Sequence, residues 1–215
     1  PVESPNTLRS KARGRILDLL AHGPIVGLVD GLKSVYLDDT PLQNADGTYN
    51  FNGVGIQTRE GYPDQSYIAG FTAVENAIEV STEIKFSTPV IRSVTNNDAD
   101  AVIITVQLPG LSQQKENGDM LGFQVGIQID VRTGGGAWNL AVADTIAGKT
   151  MSAYERSYRV PLDGNGPFDV RVRRTTAEST VVQIVDSVFW SVMTEVIDAR
   201  LTYPDSALVA IDVDA

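Results

Sequence analysis

The sequence has no cysteine, a single histidine and two tryptophans, and no apolar run of the roughly eighteen residues a membrane helix needs. Without thiols there are no disulfides, no thiolate nucleophile and no cysteine-ligated zinc. With one histidine, any catalytic triad or histidine-bound metal must pass through His22. That residue sits beside a Gly23-Pro24 corner with no partner at a defined spacing, so a corner residue satisfied by backbone is the better account. Positive charge is also scarce: 17 Lys+Arg against 27 Asp+Glu leave a net charge of −10. Such a field repels phosphate backbones and argues against nucleic acid. Arg9, Lys11, Arg13 and Arg15 gather near the start, but the apolar run after them is too short and too soon interrupted by charge for a signal peptide. The chain does not begin with Met, and we expect a fragment of something longer.

What is present suits a folded β protein. The 215 residues, 42% of them apolar, can bury one good core or two modest ones. The most organised stretch runs from Gly23 to Leu42, with a Gly23-Pro24 corner, glycines at Gly27 and Gly31, a β-prone Leu32–Leu37 run and the turn Asp38-Asp39-Thr40-Pro41. It reads as strand, corner and strand, with no side chain suited to nucleophilic or metal chemistry. The preceding residues fit two descriptions. Leu8, Ala12, Ile16 and Leu19-Leu20 make a helical stripe that Gly23-Pro24 would stop, whereas Ile16–Leu20 equally makes a buried strand. Gly14, inside the stripe, tips the reading toward a strand from about Arg15, preceded by a loose basic arm.

Farther on, Asn44-Ala45-Asp46-Gly47 is a hairpin turn, with strands expected over Tyr49–Asn52 and from Val54 to Gly61. Residues 61–77 lack periodicity and read as a surface loop or linker. From Ile78 short alternating runs recur: 78–86, 90–94, 101–108, 122–132, 138–142, 154–162 and 168–173, with a polar loop from Ser112 to Asp119. Turn-punctuated strands at this spacing describe an antiparallel sandwich of the fibronectin or immunoglobulin-like kind. The absent cysteine pair argues against a true immunoglobulin domain. Val181 to Val192 is a last apolar run, and Ala207–Asp214 alternates like a strand in need of a partner.

Ala143-Asp144-Thr145-Ile146-Ala147-Gly148-Lys149-Thr150 comes closest to a functional motif. A phosphate-binding loop is G-x-x-x-x-G-K-[ST] opening onto a helix N-terminus. Here Ala143 replaces the first glycine and no helical stripe succeeds it, so a β-turn carrying Lys149 is the better reading. Asp98-Ala99-Asp100, Asp163-Gly164-Asn165 and Asp38-Asp39 offer oxygen ligands to calcium, but none has EF-hand spacing, and turns require the same residues. No carboxylate pair stands out for glycoside hydrolysis. Arg171, Arg173 and Arg174 are the densest positive cluster, with Arg171 and Arg173 on one strand face. Trp138, after a glycine turn, is open to a sugar-stacking role; Trp190 reads as core. We assign no catalytic, cofactor or metal residue.

The ordered run Gly23-Pro24-Ile25, Gly27, Val29–Val35 and Thr40-Pro41, with Lys85, Thr88-Pro89-Val90, Gly148-Lys149-Thr150, Trp190-Ser191, Thr194–Asp198, Tyr203-Pro204 and Ala207-Leu208-Val209, resembles the N-terminal part of the tail tip attachment protein J (host specificity protein) family of lambda-like siphophages. The agreement covers nearly the whole chain and is weaker over Asn44–Glu83 and Leu111–Ala143. The resemblance implies a structural, non-enzymatic tail-tip hub segment without cofactors, trimeric in the full-length hub. Its implied partners are other tail-tip proteins and copies of itself, with the host outer-membrane receptor reached only through a missing C-terminal part. Its implied place is the virion tail tip, and host cytoplasm before assembly. It also puts Gly148-Lys149-Thr150 inside an inserted fibronectin-like domain. The expected organisation is residues 1–22 as arm and first strand, 23–77 plus 195–215 as a β-rich hub segment, and 78–194 as the inserted sandwich. The alternative is a fibronectin-like adhesion or carbohydrate-binding module; a cryptic glycosidase is a third reading.

Overall fold

The computed structural model describes residues 2–10, 13–51 and 53–214. Among them are sixteen strands, one 3-10 turn (Gly31–Ser34) and no α-helix. The first strands are β1 (Arg13–His22), β2 (Tyr36–Leu37), β3 (Thr40–Pro41) and β4 (Val54–Glu60). Then come β5 (Thr72–Glu83), β6 (Val90–Ser93), β7 (Ala101–Leu108), β8 (Ser112–Gln114), β9 (Met120–Leu121) and β10 (Phe123–Thr133). They are succeeded by β11 (Asn139–Gly148), β12 (Tyr154–Pro161), β13 (Phe168–Arg174), β14 (Ile184–Val185), β15 (Phe189–Asp198) and β16 (Ser206–Asp214). The chain divides into two compact units, Pro1–Ser10 with Thr72–Asp198, and Lys11–Phe71 with Ala199–Ala215.

The larger unit contains two four-stranded antiparallel sheets, ordered β11-β10-β13-β6 and β12-β7-β15-β5. Their strands alternate because every second residue must face a shared core. Val102, Ile104, Val106 and Leu108 of β7 join Val125, Ile127 and Ile129 of β10, Val170 and Val172 of β13, and Trp190 of β15 in one buried cluster. Each such side chain contributes about 1.5–3 kcal/mol of burial. The sandwich is the all-β, fibronectin-like fold that the alternation leads one to expect.

The smaller unit is built on the sheet β1-β16-β4, in which the last strand lies between two of the first. Leu17 pairs with Ala210 and Leu19 with Leu208 on one side, while Ile211 pairs with Ile56 on the other. Ile68 and Phe71, from the loop after β4, pack on Leu17, Leu208 and Ala210. The loop is tied down by polar contacts as well: Arg59 donates to the Ser66 and Tyr67 carbonyls at 2.7 and 2.6 Å. Gln57 donates to the carbonyl of Ala69 at 3.0 Å.

Several local expectations are corrected. Leu32–Ser34 belong to the 3-10 turn rather than a strand, because Gly31 takes φ +57 and Ser34 Oγ accepts the Asp30 amide. Tyr36–Leu37 and Thr40–Pro41 form the short ladder across the Asp38-Asp39 corner, and the Leu42 amide donates to the Val35 carbonyl at 2.8 Å beyond it. Asn44–Thr48 is a turn, but Tyr49–Phe51 are not in a strand; Asn52 lies outside the described residues. The loop ends at Phe71 rather than 77, since β5 begins at Thr72. The first six residues of β5 are all exposed, so no apolar period marks them, and pairing with β15 alone orders them. The Ser112–Asp119 loop contains the short strand β8. The arm is not loose: residues 2–8 bond to the rest of the larger unit through Ser4 to Met120 and through Thr7 and Leu8 to Lys149. Lys11 and Ala12 lie outside the described residues.

The glycine that faces the Gly23-Pro24 corner, Gly61, has a steric cause. Gly61 takes φ +92, and a Cβ there would lie 2.5 Å from the Gly23 carbonyl oxygen and 3.0 Å from the Ala207 amide. We expect Gly61→Ala to destabilise the smaller unit by about 1–3 kcal/mol. Gly14→Ala, where a Cβ meets nothing within 4 Å, should cost no more than about 0.5 kcal/mol. Urea unfolding of both variants checks the contrast.

Candidate functional site

The residues of the phosphate-loop look-alike do not form a phosphate cradle. β11 carries the chain as extended strand from Asn139 to Gly148, and no helix comes after it. Lys149, expected on a turn, is 2% exposed and lies in the larger unit's interior. Its ammonium donates to Glu3 Oε1 and to the Ser4 carbonyl, both at 2.7 Å. Its amide donates to Thr7 Oγ1 at 3.0 Å. Gly148 is needed because a Cβ would lie 2.6 Å from that same Thr7 oxygen. Gly-Lys-Thr here is a socket for the N-terminal arm.

The other candidates are likewise engaged. His22 is exposed at the end of β1, where its backbone pairs with Ser206. Asp38 takes a positive φ in the β2–β3 corner and Gly164 another beside Asp163. The Asp198 amide donates to Asp100 at 2.9 Å. These acids serve turns and strand ends, and no group of three or more His, Asp or Glu side chains gathers among the described residues. Buried carboxylates have donors of their own. Glu195 accepts from the Thr95 hydroxyl at 2.9 Å, and Asp186 accepts from the fully buried Arg174 at 2.6 Å. Asp144 is held by Arg156 at 2.7 Å and Tyr158 at 2.6 Å. Burial acts to raise the Asp144 carboxyl, yet the hydrogen bonds from Tyr158 and Arg156 outweigh it and leave it below the ordinary range. Burial, and then Asp144, push the Tyr158 hydroxyl up.

Two surfaces stand out among the described residues. One is the outer face of the β11-β10-β13-β6 sheet, where Arg171 and Arg173 flank Asp130 on neighbouring strands. Their Nε atoms lie 3.0 and 2.8 Å from its carboxylate. Arg132 pairs with Asp169 at 2.9 Å. The guanidinium carbons of Arg132 and Arg171 lie 4.5 and 4.4 Å from the Trp138 ring centroid. Arg174, the third member of the sequence cluster, is buried with Asp186 instead. Trp190 is core, its indole N–H donating to the Val192 carbonyl at 3.1 Å. Sequence reasoning misses Asp130, although Gln128-x-Asp130-x-Arg132 has the period that puts all three on one face.

The other surface is the smaller unit's apolar exterior. Val26 and Val29 project fully into solvent from the loop after Gly23-Pro24. The loop is anchored, with Gly23 donating to Asp205 at 2.6 Å and Ile25 to Glu60 at 2.8 Å. Ile16, Leu19 and Leu20 of β1 and Tyr36 and Tyr49 are also exposed. These exposed apolar side chains make the loop after Gly23-Pro24 a candidate contact surface.

Residues 74–199 match the family model described as "Tip attachment protein J, FNIII-A domain". The chain is 38% identical over 220 residues to the tip attachment protein J of Escherichia phage SECphi4, covering 100% of this chain and 19% of that protein. It is 36% identical over 188 residues to that of Escherichia phage SECphi27, covering 86% of this chain and 16% of the relative. The chain thus spans less than a fifth of the length of these curated relatives. Among solved structures, the CBM22-1 xylan-binding domain from Paenibacillus barcinonensis Xyn10C aligns at 11% identity over 69% of this chain and 85% of that one, with a TM-score of 0.30. So loose a superposition carries no argument for sugar binding.

The hydrogen bond from Lys149 and its charge hold the Glu3 carboxyl below the ordinary glutamate range. A lowered folded pKa means that this contribution is complete above the ordinary range and is lost as pH falls through the folded value. Hydrogen exchange at the Ser4, Thr7 and Leu8 amides, with the intrinsic pH dependence divided out, should be protected at neutral pH and lose protection in acid. Glu3→Gln should lose that protection already at pH 7.

Proposed function

The chain belongs to the tip attachment protein J family, and on that basis we propose that it is a structural segment of a phage tail tip, working through protein–protein contacts rather than catalysis. The observation that carries this reading is the smaller unit's exterior, where a loop anchored at Gly23 and Ile25 holds Val26 and Val29 fully in solvent. An apolar tip held in place by backbone hydrogen bonds is preorganised for burial against a neighbour. Its partners are other tail-tip proteins and copies of itself, the full-length hub acting as a trimer. The host receptor is met by a part of the protein beyond this chain. No helix among the described residues is long and apolar enough to cross a membrane. Synthesis in the host cytoplasm precedes assembly at the virion tail tip.

Within this segment we read the sandwich as a module inserted into a hub piece formed by the two ends. The division at Phe71/Thr72 and Asp198/Ala199 and the family-model match over residues 74–199 support that reading. So does the pairing of Thr72 with Asp198, which sets the sandwich's entry and exit side by side, as tolerated insertions require.

The test is Val26→Asp with Val29→Asp in a phage whose tail-tip gene carries this segment. Both side chains are exposed, so the melting temperature of the isolated chain should not move. Counts of complete tails by electron microscopy should fall sharply. Normal tail numbers with a correctly folded variant would remove this loop from the assembly contacts.

A further inference from the structure

We propose that the outer face of the β11-β10-β13-β6 sheet is a second docking surface, one that takes a carboxylate-bearing segment of a protein partner. It is independent of the smaller unit's apolar loop. Across the four strands the register places Leu140, Asp130, Arg171 and Ile91 in one row. The row reads apolar, acid, base, apolar, with the two apolar ends exposed. Arg173 and Arg132 stand on either side of it.

The charges of this face do not cancel. Three guanidiniums, Arg132, Arg171 and Arg173, meet two carboxylates, Asp130 and Asp169. One positive charge is left over on a chain whose net charge is −10. The donors are also unevenly used. Arg132 and Arg171 each give only Nε to a carboxylate, and their Nη groups have no protein acceptor among the described residues. Both stay partly exposed, with side-chain accessibilities of 30% and 21%. The Trp138 ring and the Nε bonds fix the position of each guanidinium while leaving its forked edge open.

A guanidinium held this way matches a carboxylate in bidentate geometry, and little side-chain freedom remains to be lost on binding. Tryptophan and arginine are the residue types that dominate protein–protein contact energies. The exposed Leu140 and Ile91 at the ends of the row suit apolar neighbours of the incoming carboxylate. An open sheet face does not enclose a small anion as a cleft would, which favours a polypeptide.

The probe is a capped peptide alternating glutamate with valine, titrated into the full chain and followed by calorimetry and amide NMR. Its controls are the same peptide with glutamine in place of glutamate, inorganic phosphate, and heparin. We expect the glutamate peptide to bind and the glutamine peptide to be at least ~10-fold weaker. Arg132→Gln leaves Asp130 paired to Arg171 and Arg173 and Asp169 bonded by Ser93, and should weaken binding similarly, with melting unchanged. Trp138→Ala, which leaves every carboxylate pair in place, is the second variant should the first fold poorly, and it too should weaken binding. No binding of the glutamate peptide, equal binding of the glutamine peptide, or full binding by the folded variants would overturn the proposal. Phosphate or heparin binding as tightly as the peptide would overturn the choice of a protein partner.

Discussion

Strand β16 is the constraint on which the smaller unit depends. It lies between β1 and β4, so neither N-terminal strand has a sheet without it. Its partners are separated from it in sequence by the whole sandwich: Arg15 pairs with Asp212, and Arg59 with Leu208. Closing so large a loop is entropically unfavourable, but the cost grows only logarithmically with length. A prefolded sandwich whose first and last strands are neighbours shortens the effective loop further. The Ala199 amide bonds the Phe71 carbonyl at 2.7 Å where the two crossings meet.

The sandwich was legible in the sequence because its strands are buried on one face, and burial writes a period of two into the residues. β7, β10 and β13 carry that period plainly. The beginning of β5 does not, since both of its faces meet solvent and only backbone pairing to β15 defines it. Leu32–Leu37 misled for the opposite reason: β-prone residues lie where a positive-φ glycine and a turn whose Ser34 hydroxyl accepts from the Asp30 amide reverse the chain. The Lys149 socket was out of reach because its counter-ion, Glu3, lies 146 positions away. A local motif reports nothing about a partner so distant.

The polar interior shows how this chain treats charge. A buried ion without a partner is costly, and the buried groups named above each have one. Arg174 donates four hydrogen bonds to Asp186, Thr176 and Ala177, and Glu195 accepts from the Thr95 hydroxyl. Lys149 differs from these. Its carboxylate partner, Glu3, is 71% exposed in side-chain area, so the pair is buried at one end and wet at the other. The arm is therefore held by a contact that solvent can reach.

The central place of the last strand also sets an order in time. A ribosome adds about 5–20 residues per second. β1 is thus made roughly ten to forty seconds before its partner β16 exists. The sandwich is complete at Asp198, while the smaller sheet must wait for Asp214. Through that interval β1 and β4 have open edges and exposed Ile16, Leu19 and Leu20. The smaller sheet, the part richest in exposed apolar side chains, is therefore the last whose strands are all made.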